Sequence, residues 1–268
     1  MNAQLEKEES TLFIAKPNLP QNKVTSLFLG EKYVQKFSGP LWKLGVKALP
    51  VPPCESLSGE ERHHADMLLH HIGKNGVIVH KGMLGKAKCL YKEMHMEIVD
   101  SEVALQKDYP YNIALNGLSI GSLFFHNLKF TDSSIKSQLI SNNCKLIHVR
   151  QGYAKCAVAV VDEGSAITSD NGMAAALECA GIDVLLIRPG FIFLDSEHYG
   201  FIGGCCGKLS KDRIAFTGSL NDHPDKNKIL NFLETKKVYP VFLTEGPLID
   251  VGSILPLKEE DRRIGNNT

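Results

Sequence analysis

The chain carries no surplus of charge of either sign: Lys plus Arg and Asp plus Glu each total 30 of its 268 residues. That balance offers nothing to phosphate backbones or anionic lipid surfaces, which excludes nucleic acid and membrane as expected partners. No apolar run approaches the ~20 residues of a membrane span. The opening MNAQLEKEES is polar and acidic and has no apolar h-region, so no signal peptide is read there, and a cytoplasmic location is expected. No C-x-x-C occurs, and the seven cysteines are odd in number. Buried free thiols in a reducing compartment are the expectation. Two histidine doublets, His63-His64 and His70-His71, stand outside any H-E-x-x-H or Cys/His zinc spacing. Neither a metal nor a cofactor is therefore expected. No Pro/Ser/Gly-rich linker divides the chain, although its length exceeds the common domain size of ~100–150 residues.

What the chain does have is an internal repeat. A unit of small or polar opening, apolar strand, helix-like stretch and second apolar strand recurs about five times. The clearest copies run from Gly152 to Gly190 and from Gly203 to Gly246. Repeats of this length mark solenoids, propellers or arrays, whose modules are too small to fold alone. A closed α/β ring of five ββαβ modules, a propeller occupying residues 1–268 as a single domain, is preferred over two separate domains.

In the first module the inner strand is read at Leu12–Ala15 and the outer at Gly45–Pro50, with a long irregular segment between them. The second has the turn Gly73-Lys74-Asn75-Gly76 before Val77-Ile78-Val79. The third has a helix near Asp132–Asn142, with Thr131 or Asp132 as N-cap. In the fourth, Met173, Ala176, Leu177 and Ala180 share one helical face, and Gly181 is a helix stop. The last strand, near Ile254–Leu257, lacks its own helix and is expected to close the ring against the N-terminal module.

Radial repetition gathers the module openings at one axial mouth. There His64, Asp66, Asn116, Ser119, Tyr153, Lys155, Asp250 and Ser253 are candidate ligand-binding residues. Asp66 and Asp250 suit a guanidinium or amine, which favours bidentate carboxylate contacts. Lys155 either joins the ligand site or neutralises those carboxylates internally. His64 either orients Asp66 or lies on the rim. Cys205 and Cys206, in Gly203-Gly204-Cys205-Cys206-Gly207, are the candidate catalytic thiols if a nearby Lys155 or Lys208 lowers a thiol pKa. The alternative is two small residues packed against a crowded axis. Cys156 reads as core.

The five modules, and the segment His64–Lys81 (HADMLLHHIGKNGVIVHK), resemble the pentein fold of the guanidine-modifying enzymes. The stretches GYAKCAVAVVDE and GFIGGCCGKL resemble a bacterial pentein-like family without an assigned activity. The resemblance implies a five-module propeller with pseudo-fivefold symmetry, and it places Asp66 where the family's aspartate grips a guanidinium. It also exposes departures. Tyr153 stands where the family's basic histidine would be, and Asp250 stands near its C-terminal cysteine. Asn116-Gly117-Leu118-Ser119 fills the place of a Gly-Gly-Asp-like motif, and no cysteine follows Cys206. Turnover of the usual Cys/His type is thus not expected. A translation factor of the same fold is not an enzyme. The preferred reading is binding of a small cationic metabolite or a protein partner at the axial mouth. The alternative is a hydrolase or amidinotransferase acting on a guanidino or amidino group through a relocated cysteine.

Overall fold

A computed structural model describes residues 10–195 and 199–261. The N-terminal signal-peptide question falls on residues 1–9, outside the described part.

Strand β1 (Thr11–Phe13) precedes β2 (Val24–Gly30), helix α1 (Glu31–Lys43) and β3 (Lys47–Val51). The second module comprises the helical turn α2 (Ala65–Leu68), β4 (Leu69–Gly73), β5 (Gly76–Val79), α3 (Leu84–Leu90) and β6 (Glu97–Asp100). The third has β7 (Leu118–Ile120), β8 (Leu123–His126), α4 (Ser133–Ser141) and β9 (Lys145–His148). The fourth has the turn α5 (Ala154–Ala157), β10 (Val158–Asp162), β11 (Ser165–Thr168), α6 (Asn171–Cys179) and β12 (Asp183–Leu186). The fifth has β13 (Cys206–Ser210), β14 (Arg213–Phe216), α7 (Lys226–Thr235) and β15 (Tyr239–Phe242), and β16 (Leu255–Glu260) ends the described chain.

Modules two to five each pair their first two strands antiparallel and their last two parallel, with the helix crossing between. The first module obeys the same rule with its first strand borrowed from the other end of the chain. Its sheet order is β1-β16-β2-β3, with β16 antiparallel to β2 and β2 parallel to β3. The ring therefore closes through β16, as the helix-less last strand implied.

Two readings of the first module are corrected. Leu12–Ala15 does not supply its inner strand: β1 is an extra edge strand on β16. The stretch read as irregular holds β2 and α1. Gly39-Pro40 masks the helical pattern there, yet Pro40 lies in the last turn and Tyr33, Phe37 and Leu41 form a buried i, i+4, i+8 stripe.

Five apolar clusters hold the ring together, and each lies between neighbouring modules. Phe28, Leu49 and Leu257 meet Leu68, Val77 and Val79; Ile78 meets Leu115, Phe124 and Ile135. Leu118 and Phe125 meet Val158, Met173 and Leu177; Ala159 and Ile167 meet Ile214, Phe216 and Ile229. The fifth cluster joins Leu27, Leu29 and Phe37 to Leu209, Ala215 and Leu243, so no interface is left open. A module's apolar faces are covered only by its neighbours, which is the energetic reason for closure. The chain is thus a five-module ββαβ α/β propeller with pseudo-fivefold symmetry. Among the described residues no helix is long and apolar enough to cross a membrane.

Candidate functional site

Each module's first strand starts near the axis, so the residue two or three places before it faces the other modules. These positions hold Asp66, Asn116, Lys155, Gly204 and Ser253, and they bond across the ring. Asn116 donates to the Asp66 carbonyl at 3.1 Å and accepts from Lys155 N–H at 3.0 Å. Lys155 Nζ donates to Ser253 Oγ at 2.9 Å, and that hydroxyl donates to Asp66 Oδ2 at 2.5 Å. The Cys156 thiol donates to the same carboxylate oxygen at 3.0 Å. Asp66 is 2 % exposed and Lys155 6 %. The network is a buried polar plug, not an open pore.

The closing segment needs glycine to reach this plug. Gly252 has φ +70°, and a Cβ there would lie 2.3 Å from His64 Cα. A Cβ on Gly204 would lie 2.0 Å from Asp250 Oδ1, so bare backbone is what fits beside that carboxylate.

On one side of the plug, Asp66, His70 and Lys155 help line a cavity of about 20 Å³, room for a single water. A cleft of about 400 Å³ is lined by Glu61, His64, Met67, Tyr153, Cys156, Leu194, Tyr199, Phe201 and Asp250. Among the described residues its lining holds two carboxylates and the rings of Tyr153, Tyr199 and Phe201, and no lysine or arginine. Tyr153 hydroxyl donates to Glu61 Oε1 at 2.7 Å, and Asn112 Nδ2 donates to Glu61 Oε2 at 2.8 Å. Glu61 is thus held in place at the cleft wall. Asp250 accepts from the backbone N–H groups of Phe201 at 2.9 Å and Gly252 at 3.0 Å. His64 Nδ1 lies 3.7 Å from Asp250 Oδ1.

The electrostatics are those of a crowded acidic site. Burial pushes the Asp250 carboxyl up to about 6, against the pull of the Phe201 and Gly252 amides and the Lys155 charge. Burial, reinforced by Asp66 and Asp250, raises the Cys156 thiol well above its usual range. It is therefore a thiol donor at neutral pH. Burial also lowers His64, keeping its ring neutral, and raises Tyr153, with Glu61 adding to the effect.

The expected residues do not all arrive together. His64, Tyr153 and Asp250 line the cleft; Asp66, Asn116, Lys155 and Ser253 form the plug beneath it. Asp66 and Lys155 do not share a cavity with Asp250, because the plug intervenes. Ser119 lies elsewhere, against a surface groove with Lys16 and Gly73. It is the second residue of β7, past the opening that Asn116 occupies. Cys205 and Cys206 do not form the cavity wall expected of them. Both pack in the apolar cluster between modules four and five with Phe216 and Ile202. Gly203 presses against the carbonyls of Lys155, Cys156 and Val158 and Gly204 against the Asp250 carboxyl, so backbone occupies the axis beside the two thiols. Burial pushes Cys206 up to about 12, and neither Cys205 nor Cys206 lines the cleft. The thiol that reaches the cleft is Cys156, which had read as core. Glu61, Tyr199 and Phe201 were not anticipated. The acidic pair Glu60-Glu61 directly before the second opening was the available signal for the first of them.

This architecture is that of the pentein fold. Residues 28–255 match the model of a family of unknown function, DUF6873, and the chain belongs to that family. No curated protein sequence matches it. Solved structures of similar fold include SxtG, an amidinotransferase from Microseira wollei in the saxitoxin biosynthetic pathway. It is 12% identical with a TM-score of 0.57, over 89% of this chain and 96% of that one. The inosamine-phosphate amidinotransferase StrB1 from Streptomyces griseus is 10% identical with a TM-score of 0.52, over 91% and 94%. A mutant DDAH from Pseudomonas aeruginosa complexed with citrulline is 7% identical with a TM-score of 0.51, over 89% and 100%.

Proposed function

We propose that the cleft binds a small organic cation through a guanidino or amino group. The observation that carries this reading is the lining itself: Glu61 and Asp250 beside Tyr153, Tyr199 and Phe201, with no lysine or arginine among the described residues. Carboxylates supply charge-assisted hydrogen bonds to such a group, and aromatic faces attract a cation. The volume of about 400 Å³ suits a metabolite. The names of the structural relatives, two amidinotransferases and a DDAH with citrulline, support the guanidino member of this class.

One observation favours a second step after binding. Cys156 Sγ lines the cleft and donates to Asp66 Oδ2, with a His64 ring nitrogen in the same cluster. The thiol is held protonated by burial and two carboxylates, and a guanidinium docked beside it reverses that balance. On this reading a ligand-activated Cys156, rather than Cys205 or Cys206, attacks a guanidino carbon; Asp66 receives the thiol proton and returns it to the amine that leaves as a C–N bond breaks, and water or an acceptor amine then displaces the sulfur.

Calorimetric titration with arginine and agmatine, beside the uncharged ureido analogue citrulline, tests the binding reading. The cations should bind and citrulline should bind at least tenfold more weakly. Glu61→Gln should weaken the cations by a similar factor while leaving the circular dichroism unchanged. Equal affinity for citrulline, or no binding of any cation at millimolar concentration, would count against it. Mass spectrometry of the same mixtures then reads turnover, which Cys156→Ser should abolish and Cys205→Ser should not.

A further inference from the structure

We infer that His64, Asp66 and Cys156 form a binding site for one divalent transition metal ion, with zinc the best chemical match. The site does not depend on the organic ligand proposed above. One donor atom from each residue lies within 4.8 Å of the other two. Cys156 Sγ and Asp66 Oδ2 are already 3.0 Å apart. Zinc bonds of ~2.0–2.3 Å place tetrahedral ligand atoms about 3.3–3.7 Å apart. The three side chains therefore need shifts of about an ångström and no rearrangement of the backbone.

The apo hydrogen-bonding pattern points the same way. Asp66 Oδ1 and His64 Nε2 are buried without a hydrogen-bond partner among the described residues, in side chains of residues 2 % and 4 % exposed. Leaving a buried acceptor unmet costs ~1–3 kcal/mol, so two such atoms in one cluster call for an occupant. Nearby groups suit a cation as that occupant. Asp250 sits 3.7 Å from His64 Nδ1, the place of the outer carboxylate that orients a metal-bound histidine. The charges also balance. A dication cancels the Cys156 thiolate and the Asp66 carboxylate, while Lys155 and Asp250 contribute one charge of each sign.

Binding replaces the thiol proton. The metal takes the sulfur lone pair that the proton held, the proton leaves to solvent, and no electron is transferred. The Cys156 donation to Asp66 is lost, and both atoms gain the shared ion instead. With three protein ligands, a fourth position is left for water or a ligand from the cleft, which Cys156 and His64 both line. The donor set of nitrogen, oxygen and sulfur fits zinc and cobalt(II) better than magnesium or calcium, which take oxygen ligands. Sequence spacing conceals the site: the histidine and aspartate are adjacent-but-one, and the cysteine follows 90 residues later.

The test uses the full-length chain, stripped with a chelator and titrated with zinc chloride or cobalt(II) chloride alone. One ion per chain is expected, and the cobalt form should show thiolate-to-metal charge-transfer absorption in the near ultraviolet. Cys156→Ser should abolish that absorption. His64→Gln and Asp66→Asn should each weaken zinc at least tenfold. Replacing the exposed Cys89 and Cys179 together with serine should change neither readout. Serine keeps a hydroxyl donor for Asp66, so Cys156→Ser is the variant suited to remain folded. Binding far below one ion per chain, charge transfer that survives Cys156→Ser, or loss of binding on removing Cys89 and Cys179 would each overturn the site. Failure of the arginine and agmatine titrations would leave this result untouched.

Discussion

The openings of the second and fourth modules have almost the same backbone and opposite chemistry. Each is a four-residue helical turn, Ala65–Leu68 or Ala154–Ala157, entirely buried and running straight into its strand. An alanine holds the first position of both. The second is Asp66 in one and Lys155 in the other; the third is Met67 in one and Cys156 in the other. The residues just before the turns, His64 and Tyr153, both line the cleft. Pseudosymmetry thus fixes where five opening residues meet, and divergence at equivalent positions decides what they do. An acid and a base at related positions end up bridged by Ser253 Oγ from a third opening.

Swapping the two charges is the strongest way to break this comparison. Asp66→Lys would bury two ammonium groups at the axis beside Ser253. Removing one partner of a buried charge pair costs ~3–5 kcal/mol, and like charge adds to that. The single variant should therefore lie near or beyond the unfolding threshold. Lys155→Asp should be damaging in the same way. If the positions are equivalent, Asp66→Lys combined with Lys155→Asp restores the pair, with coupling of about 1–3 kcal/mol in urea unfolding. A double variant no more stable than the worse single would show that the openings are related in backbone alone.

The same contrast explains what could be read before the fold was known. Modules two to five were legible because a turn such as Gly73–Gly76 or a stop such as Gly181 punctuates continuous apolar strands. The first module was not, because its first strand, β16, lies more than 200 residues beyond β2, and Gly39-Pro40 disguises α1. Local pattern carries no information about a strand borrowed from the far terminus. Asp66, Asn116, Lys155 and Ser253 were found by one argument: repeat openings converge. Ser119 was misplaced by that argument because it stands past the opening, on the strand. The sequence could not tell the cleft-lining Cys156 from the core-packed Cys206 because both sit in small-residue, apolar stretches. What separates them is a contact between Cys156 and a residue 90 positions away.

A smaller effect sharpens the comparison by asking whether every buried lysine needs an acid. Lys208, in β13, is as buried as Lys155, but its Nζ donates to the carbonyls of Val161 at 2.7 Å and Lys211 at 2.9 Å. Neither lysine has a carboxylate within ion-pair distance among the described residues, but Lys155 reaches Asp66 through Ser253 Oγ whereas Lys208 ends on carbonyls. Burial lowers its ammonium to about 8, and Asp162 and Asp212 recover only part of the shift. Between pH 8 and the unfolded value of ~10.4, the unfolded chain holds the proton and the folded chain does not, so stability rises with pH. Below pH 8 the burial penalty is present in full, roughly 3 kcal/mol at 1.36 kcal/mol per pH unit. Lys208→Met removes it but leaves two carbonyls short of a donor, so the net gain at pH 7 should be about 1–2 kcal/mol. Because methionine does not titrate, that gain should shrink as pH rises from 8 to 10.5. Urea unfolding of both proteins at pH 7, 9 and 10.5 reads the trend. A gain independent of pH, or a loss at pH 7, would mean that the two carbonyl bonds already compensate the buried charge, and that Lys208 resembles Lys155 after all.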